Sequence, residues 1–340
     1  STVLGSCISA CVRDRVANTT TLVSATPGGT SGNNDSGWPT ITPGGTLVVF
    51  DSQASDLVAG DTNLHRDIFA RDLLTNTTER LSVSTSGTQA NSTSGIGEDI
   101  AVSDDGRYVA FISAASNLVS ASIDTNNRND IFVRDRILNT TRLITMNATN
   151  TASASYPLNA PNGHLLDITM SRDGRYIAFS SRATDLVAND TNNATDLFLR
   201  DLVTNSTIRL CDNASPATSS FGWVSFSADA RYVVFDCNAS NMGPADTNGT
   251  TDVFRRDLLL GDVVAVSVRS DGLAMANGSS SWGSMSDDGR YVVFKSFSTN
   301  IVAGAIGGHV FVRDMTQGTT VLVDALPDGT YCVLEVVDHG

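Results

Sequence analysis

Four segments of the chain carry hard oxygen donors at one spacing: "DTNLHRD" from Asp61, "DTNNRND" from Asp124, "DTNNATD" from Asp190 and "DTNGTTD" from Asp246. Aspartate, asparagine and aspartate stand at relative positions 1, 3 and 7. The sets are Asp61/Asn63/Asp67, Asp124/Asn126/Asp130, Asp190/Asn192/Asp196 and Asp246/Asn248/Asp252. Calcium takes roughly six to eight oxygens from carboxylates and carbonyls, so these loops are expected to hold Ca2+. The same residues have a plainer use, as Asx turns whose side chains bond their own backbone. The glycine and distal glutamate of the familiar D-x-[DN]-x-[DN]-G loop are missing. A fifth segment, "NIVAGAIGGHVFVRD", keeps the following strand without the donors, which favours a ligand role in the other four.

Catalytic groups are harder to find. The histidines, His65, His164, His309 and His339, share no spacing suited to a metal site. His65 lies at a loop tip, and the others read as surface residues. Carboxylates are plentiful, but none stands out from the repeat as half of a glycosidase pair, so no enzyme is expected. Trp38, Trp223 and Trp282 fall in the first strand of a repeat, where an aromatic ring can stack on a sugar. Core packing is the default reading for them.

The donors recur because the whole unit recurs, about every 60 residues. One half reads "SDDGRYVAF" from Ser103, "SRDGRYIAF" from Ser171, "SADARYVVF" from Ser227 and "SDDGRYVVF" from Ser286, with a worn "TPGGTLVVF" from Thr42. The other reads "FARD", "FVRD", "FLRD", "FRRD" and "FVRD", from Phe69, Phe132, Phe198, Phe254 and Phe311. "CVRD" from Cys11 is a sixth version. Each unit reads as four short strands. An apolar strand meets a "DG" turn, "RYVAF" alternates as the second strand, and "DIFVRD" and a Thr-rich stretch follow. The "RD" arginines are expected to bond a neighbouring blade or its backbone, and Asp105, Asp173 and Asp288 to form the turns.

"SxDGRYVAF" followed by "DIFVRD" and a Thr-rich strand resembles the TolB-type, WD-like (PD40-like) propeller repeat, and the loops resemble its secreted "DTN…D" subgroup. The resemblance covers nearly the whole chain. It implies an all-β fold: one β-propeller domain over 1–340, of about six four-stranded blades that serve binding or scaffold roles. Five complete repeats span 37–325. A closing blade would be shared by 9–24, which supplies a third and fourth strand, and 330–340, which supplies only a first. Its second strand is missing. The segment 1–9 is then a donor strand or extension, whose Val3 and Leu4 would fill that slot in the next molecule.

A formal charge of −14 disfavours nucleic acid and anionic membrane. No apolar run reaches the roughly 20 residues of a membrane-spanning helix. No signal peptide is visible, so Ser1 reads as a processed end. Thirteen N-x-[ST] sequons occur, at Asn18, Asn34, Asn76, Asn91, Asn139, Asn147, Asn189, Asn193, Asn205, Asn213, Asn238, Asn248 and Asn277. That is roughly twice the number chance would place, which points to a secreted glycoprotein. Five cysteines fit an oxidising compartment. Cys211 and Cys237 are expected to bridge adjacent blades, and one further bridge is expected among Cys7, Cys11 and Cys332, with Cys11–Cys332 the pairing chosen. The expected function is a non-catalytic, extracellular structural protein that assembles head-to-tail into a filament. A lectin-like or protein-binding surface propeller is the alternative, and a polysaccharide-active enzyme the third reading.

Overall fold

The computed structural model describes residues 8–95, 100–155, 166–192, 194–211, 223–239, 242–243, 246–305 and 307–324. No helix occurs among them, and every described strand pairing is antiparallel. A two-stranded sheet comes first, β1 (Cys11–Asp14) with β2 (Thr19–Leu22). The first blade is β3 (Ser36–Ile41), β4 (Leu47–Ser52), β5 (Asp67–Asp72) and β6 (Thr77–Arg80). The second is β7 (Ile100–Val102), β8 (Tyr108–Ser113), β9 (Asp130–Asp135) and β10 (Thr140–Leu143). β11 (Leu166–Met170), β12 (Tyr176–Ser181), β13 (Asp196–Asp201) and β14 (Ser206–Arg209) make the third. The fourth is β15 (Val224–Phe226), β16 (Tyr232–Cys237), β17 (Asp252–Asp257) and β18 (Val263–Ala265). The fifth is β19 (Ser280–Met285), β20 (Tyr291–Ser296), β21 (His309–Asp314) and β22 (Thr319–Leu322). Each blade is a meander whose strands pair in chain order. Contacts divide the chain into two compact units, Ser1–Met170 and Ser171–Gly340.

The repeat words set the register. The phenylalanine ending "RYVAF" pairs with the one opening "FVRD" in all five blades: Phe50 with Phe69, Phe111 with Phe132, Phe179 with Phe198, Phe235 with Phe254 and Phe294 with Phe311. Their rings stack with centroids 5.7 to 6.2 Å apart, in every case fully buried. Such a pair adds about 0.5–1.5 kcal/mol beyond the area it buries.

The turns are as local as expected. Ser103 and the Arg107 N–H both donate to Asp105, and Gly106 takes φ 69°. Ala230 holds the same left-handed place at φ 54° in the fourth blade. In the "NTT" and "NST" turns Asn18, Asn76, Asn139 and Asn205 have φ 58°, 55°, 53° and 54°, a region where asparagine is tolerated.

Candidate functional site: the loops before the third strands

Each oxygen-rich loop ends on the first residue of a third strand, so its second aspartate is sealed beneath the sheet. Asp67 and Asp130 are wholly buried, as nearly are Asp196 and Asp252. The asparagine of each set, Asn63, Asn126, Asn192 or Asn248, makes the Asx turn. Its Oδ1 accepts the backbone N–H two residues on, from His65 (3.0 Å), Arg128 (2.8 Å), Ala194 (3.0 Å) and Thr250 (2.6 Å) respectively. The amides of Asn63, Asn126 and Asn248 also donate to Ala90 O, Ala154 O and Ala276 O. A hydroxyl beyond the fourth strand (Ser82, Thr145 or Ser267) bonds the buried aspartate in those same three blades. Each loop thus brings its own three expected residues together. Among the described residues no cluster of three or more His, Cys, Asp or Glu forms, so each set offers two carboxylates.

The loops part company over charge. In the first blade Arg80 Nη1 lies 2.9 Å from Asp61 Oδ1 and 3.6 Å from Asp67 Oδ2. In the third, Arg209 Nη1 lies 3.3 Å from Asp190 and 3.8 Å from Asp196. These arginines stand opposite Phe69 and Phe198; the same place holds Leu143 in the second blade and Ala265 in the fourth. Burial raises Asp130 and Asp252 to about 7, each pushed further by its partner Asp124 or Asp246. Burial also lifts Asp196 to about 6, although Arg209 opposes the shift. Asp124 Oδ1 and Asp130 Oδ2 are buried with no hydrogen-bonding partner; the Asn126 amide favours the charged form of Asp130 but completes no bond to it.

In the first and third loops the expected ligand residues are engaged by the protein's own cation. Asn63 and Asn192, expected as calcium ligands, are bonded within the protein at both ends of the side chain, as are Asn126 and Asn248. Their Oδ1 atoms are held by the turn, while the Asn63 amide donates to Asp67 Oδ2 at 2.8 Å and the Asn192 amide to Asp196 Oδ1 at 3.0 Å. An arginine already lies between the two acids of each of these loops, and a cation there would meet its repulsion. Asn63 and Asn192 serve the turn and the buried acid.

Sequence reasoning missed the arginines, although a signal exists. Arg80 and Arg209 come eight residues after Asp72 and Asp201, whereas Arg142 comes seven after Asp135 and falls opposite Val133. One residue of slip puts a strand side chain on the other face.

The fifth blade corrects a further reading. His309 is buried, not on the surface, and its Nδ1 lies 3.2 Å from Asp324 Oδ2. It occupies the place of the buried aspartate, opposite an acid where the first, second and fourth blades have a hydroxyl.

The "RD" acids tie the end of the third strand to the start of the second. Asp135, Asp201, Asp257 and Asp314 accept the guanidinium of Arg107, Arg175, Arg231 and Arg290 at 2.7 to 2.9 Å. Arg290 and the N–H groups of Gln317 and Thr316 hold Asp314 down at about 2. The "RD" arginines bond mainly within their own blade: Arg71, Arg200 and Arg313 donate to Thr78, Thr207 and Thr320, each at 3.0 Å. Arg134 reaches a neighbouring blade's backbone as well, at Ser84 O (3.4 Å).

The tryptophans are not core residues. Trp38, Trp223 and Trp282 are 50%, 48% and 57% exposed. Trp38 (φ 44°) and Trp282 (φ 59°) sit in β-bulges with a backbone that bulky residues rarely adopt. The Trp282 N–H donates to Asp236 Oδ2 at 2.8 Å, and Lys295 Nζ lies 4.9 Å from its ring centroid.

Cys211 and Cys237 form the expected disulfide, with Cα atoms 5.9 Å apart. Cys11 is an exposed thiol bridged to no described cysteine. Cys7, Cys332, Val3, Leu4, Asn193 and Asn213 lie outside the described residues. Asn18, Asn34, Asn76, Asn139, Asn189 and Asn205 are exposed, whereas Asn147, Asn238 and Asn248 are partly buried. Asn91 and Asn277 are exposed too, but their amides already donate to Ser116 and Thr299.

No protein-family model matches the sequence, and no curated protein matches it. Solved structures do. Dipeptidyl peptidase 4 from Porphyromonas gingivalis aligns over 84% of this chain and 38% of its own, with 13% identity and a TM-score of 0.51. In fold the chain is a β-propeller. TolB from Acinetobacter baumannii covers 91% of this chain at 17% identity and a TM-score of 0.42, and the chain spans 58% of its length. A putative TolB from Agrobacterium tumefaciens covers 94% at 14% identity and a TM-score of 0.45, over 89% of its own length. These are likenesses of fold alone, to peptidases and to TolB, so function rests on the residues of this propeller.

Proposed function

We propose that this propeller is an extracellular, glycosylated, non-catalytic structural protein that assembles head-to-tail by strand addition and holds calcium in blade loops. One observation carries the reading: among the described strands, β1 has a partner on one side only. Its counterparts β5, β9 and β13 each lie between two partner strands and are buried. β1 pairs only with β2 among the described strands, and three of its four residues are exposed. Unpaired edges are sites for strand addition.

The described residues just before β1 are already bonded elsewhere. Ile8 N–H donates to Asp35 and Ile8 O accepts from Ser36, while Ala10 O accepts from Val23. The leading segment "STVLGSCIS", with Val3 and Leu4, suits the edge of the next molecule instead. A head-to-tail contact of this kind need not close, and propagates as a filament. The exposed sequons and the Cys211–Cys237 bridge support an oxidising, glycosylating route.

The test is deletion of Ser1 to Gly5, followed by negative-stain microscopy. Loss of filaments with retention of folded monomers is expected; filaments that persist unchanged would sink the proposal.

The exposed tryptophans favour a second reading, a lectin-like surface. Strained backbone that presents a large aromatic ring is a feature of binding sites. Monomers that bind glycans, and lose that binding with Trp282→Ala, would support it over assembly.

A further inference from the structure

The first and second blades have the same kind of loop, the same Asx turn and the same hydroxyl bond, and differ in what reaches their acids; in the first the Asn63 amide also donates to Asp67 Oδ2. In the first blade, Arg80 Nη1 contacts Asp61 Oδ1 and Asp67 Oδ2. The corresponding atoms of the second blade are Asp124 Oδ1 and Asp130 Oδ2, and these are the two buried there without a partner. Leu143 stands at the strand position of Arg80, so the two carboxylates that need a positive charge remain while the guanidinium does not. A buried carboxylate without a cation or donor is strongly disfavoured. Asp130 is fully buried and Asp124 is 7% exposed, so bulk water screens neither well.

We propose that Asp124 and Asp130 hold a Ca2+ ion at the place that Arg80 fills in the first blade and Arg209 in the third, and that Asp246 and Asp252 hold a second. This deepens the calcium part of the function proposed above and is independent of assembly. Two carboxylates supply up to four oxygens, and backbone carbonyls and water can complete the shell of a large, geometrically tolerant cation. Magnesium, which gives up its water reluctantly, suits such a pair less well. The fourth blade shares the absence of arginine, with Ala265 at the place of Arg80. Its Asp252 Oδ2 already accepts the Asn248 amide at 3.2 Å, so this site is the weaker. The fifth blade needs no ion, because His309 faces Asp324. Arginine and calcium are thus alternative solutions to one buried acid pair. The chain uses each of them twice.

Calorimetric titration of the full chain with calcium alone, after chelation and dialysis, tests this. Two ions per chain are expected. Asp130→Asn should reduce the count to one, whereas Asp67→Asn and Asp196→Asn should leave it at two. Leu143→Arg imports the solution of the first blade and should also reduce the count to one. Because it restores a charge balance rather than removing one, this variant should fold even where Asp130→Asn does not. Four ions per chain, or a count unmoved by Leu143→Arg, would overturn the division while leaving calcium binding itself intact. No bound calcium would overturn both the division and the calcium part of the proposed function. Neither result bears on assembly, since the ions are counted per chain.

Discussion

β1 and β5 carry nearly the same residues, "CVRD" and "FARD", and the same turn follows each, yet only β5 is buried. Phe69 of β5 stacks on Phe50 of β4 and is inaccessible to solvent. Cys11, at the matching place in β1, is exposed, with Leu22 as its cross-strand neighbour and no described second strand. The strand sequence therefore does not decide burial; the neighbour on its open side does. A third strand buries its phenylalanine and its aspartate only when a second strand lies against it.

The largest effect expected from this contrast is in the core. In the Ser1–Gly5 deletion variant, Phe69→Ala should cost about 3–5 kcal/mol in denaturant unfolding, through lost burial and a cavity. Cys11→Ala at the matching site should cost under about 0.5 kcal/mol. Similar costs at both would mean that β1 is covered after all.

Charge gives the next contrast. The buried acids lie in the complete blades, and Asp14 of the half-blade is exposed. Asp130, Asp236 and Asp252 have folded-state values near 7 against an ordinary 3.8, chiefly through burial. Their contribution is complete below about pH 4 and is lost as pH rises through 7. In chelator, stability should therefore fall between pH 5 and pH 8, by up to about 2–3 kcal/mol for each such acid. Calcium should flatten or reverse that slope, since it binds the deprotonated acids. Thermal melts at the two pH values, with and without calcium, make the comparison. The acids of the "RD" pairs act in the opposite sense. Asp314, held at about 2, stabilises above pH 4 and ceases to do so only as pH falls through 2.

The smallest effect should be the same in both regions. Asp14 accepts the N–H groups of Val16 and Ala17, and Asp72 those of Leu74 and Thr75, at 2.8 to 2.9 Å. Asp14→Ala and Asp72→Ala should each cost about 1 kcal/mol, because the turn is local and indifferent to the missing strand. Unequal costs in urea titrations would show that the half-blade is not a true copy.

Much of this was legible in the repeat. The paired phenylalanines, the "DG" turns and the Cys211–Cys237 bridge all follow from where the copied words fall. What was hidden depended on side-chain partners across strands. Glu79 lengthens "TTER" by one residue relative to "TTR", which is enough to aim Arg80 at its acid pair and to send Arg142 elsewhere. Asn63 and Asn192 share a word with Asn126 and Asn248, so nothing within the loop separates them; the arginine that does lies on the fourth strand. His309 looked like surface because its partner, Asp324, lies 15 residues on and beyond a strand. The tryptophans looked like core because alternation says nothing of a bulge. Bulges in β3 and β19 break the period of two where Trp38 and Trp282 turn outward.

Assembly stands or falls on the edge of β1 that faces away from β2. Hydrogen exchange of the Cys11–Asp14 amides that face away from β2 measures it directly, in assembled material and in the Ser1–Gly5 deletion variant. If a strand from the next molecule fills the slot, those amides should be protected at least about a hundredfold in the filament and exchange freely in the variant. Equal exchange in the two, whether fast in both or slow in both, would contradict strand donation.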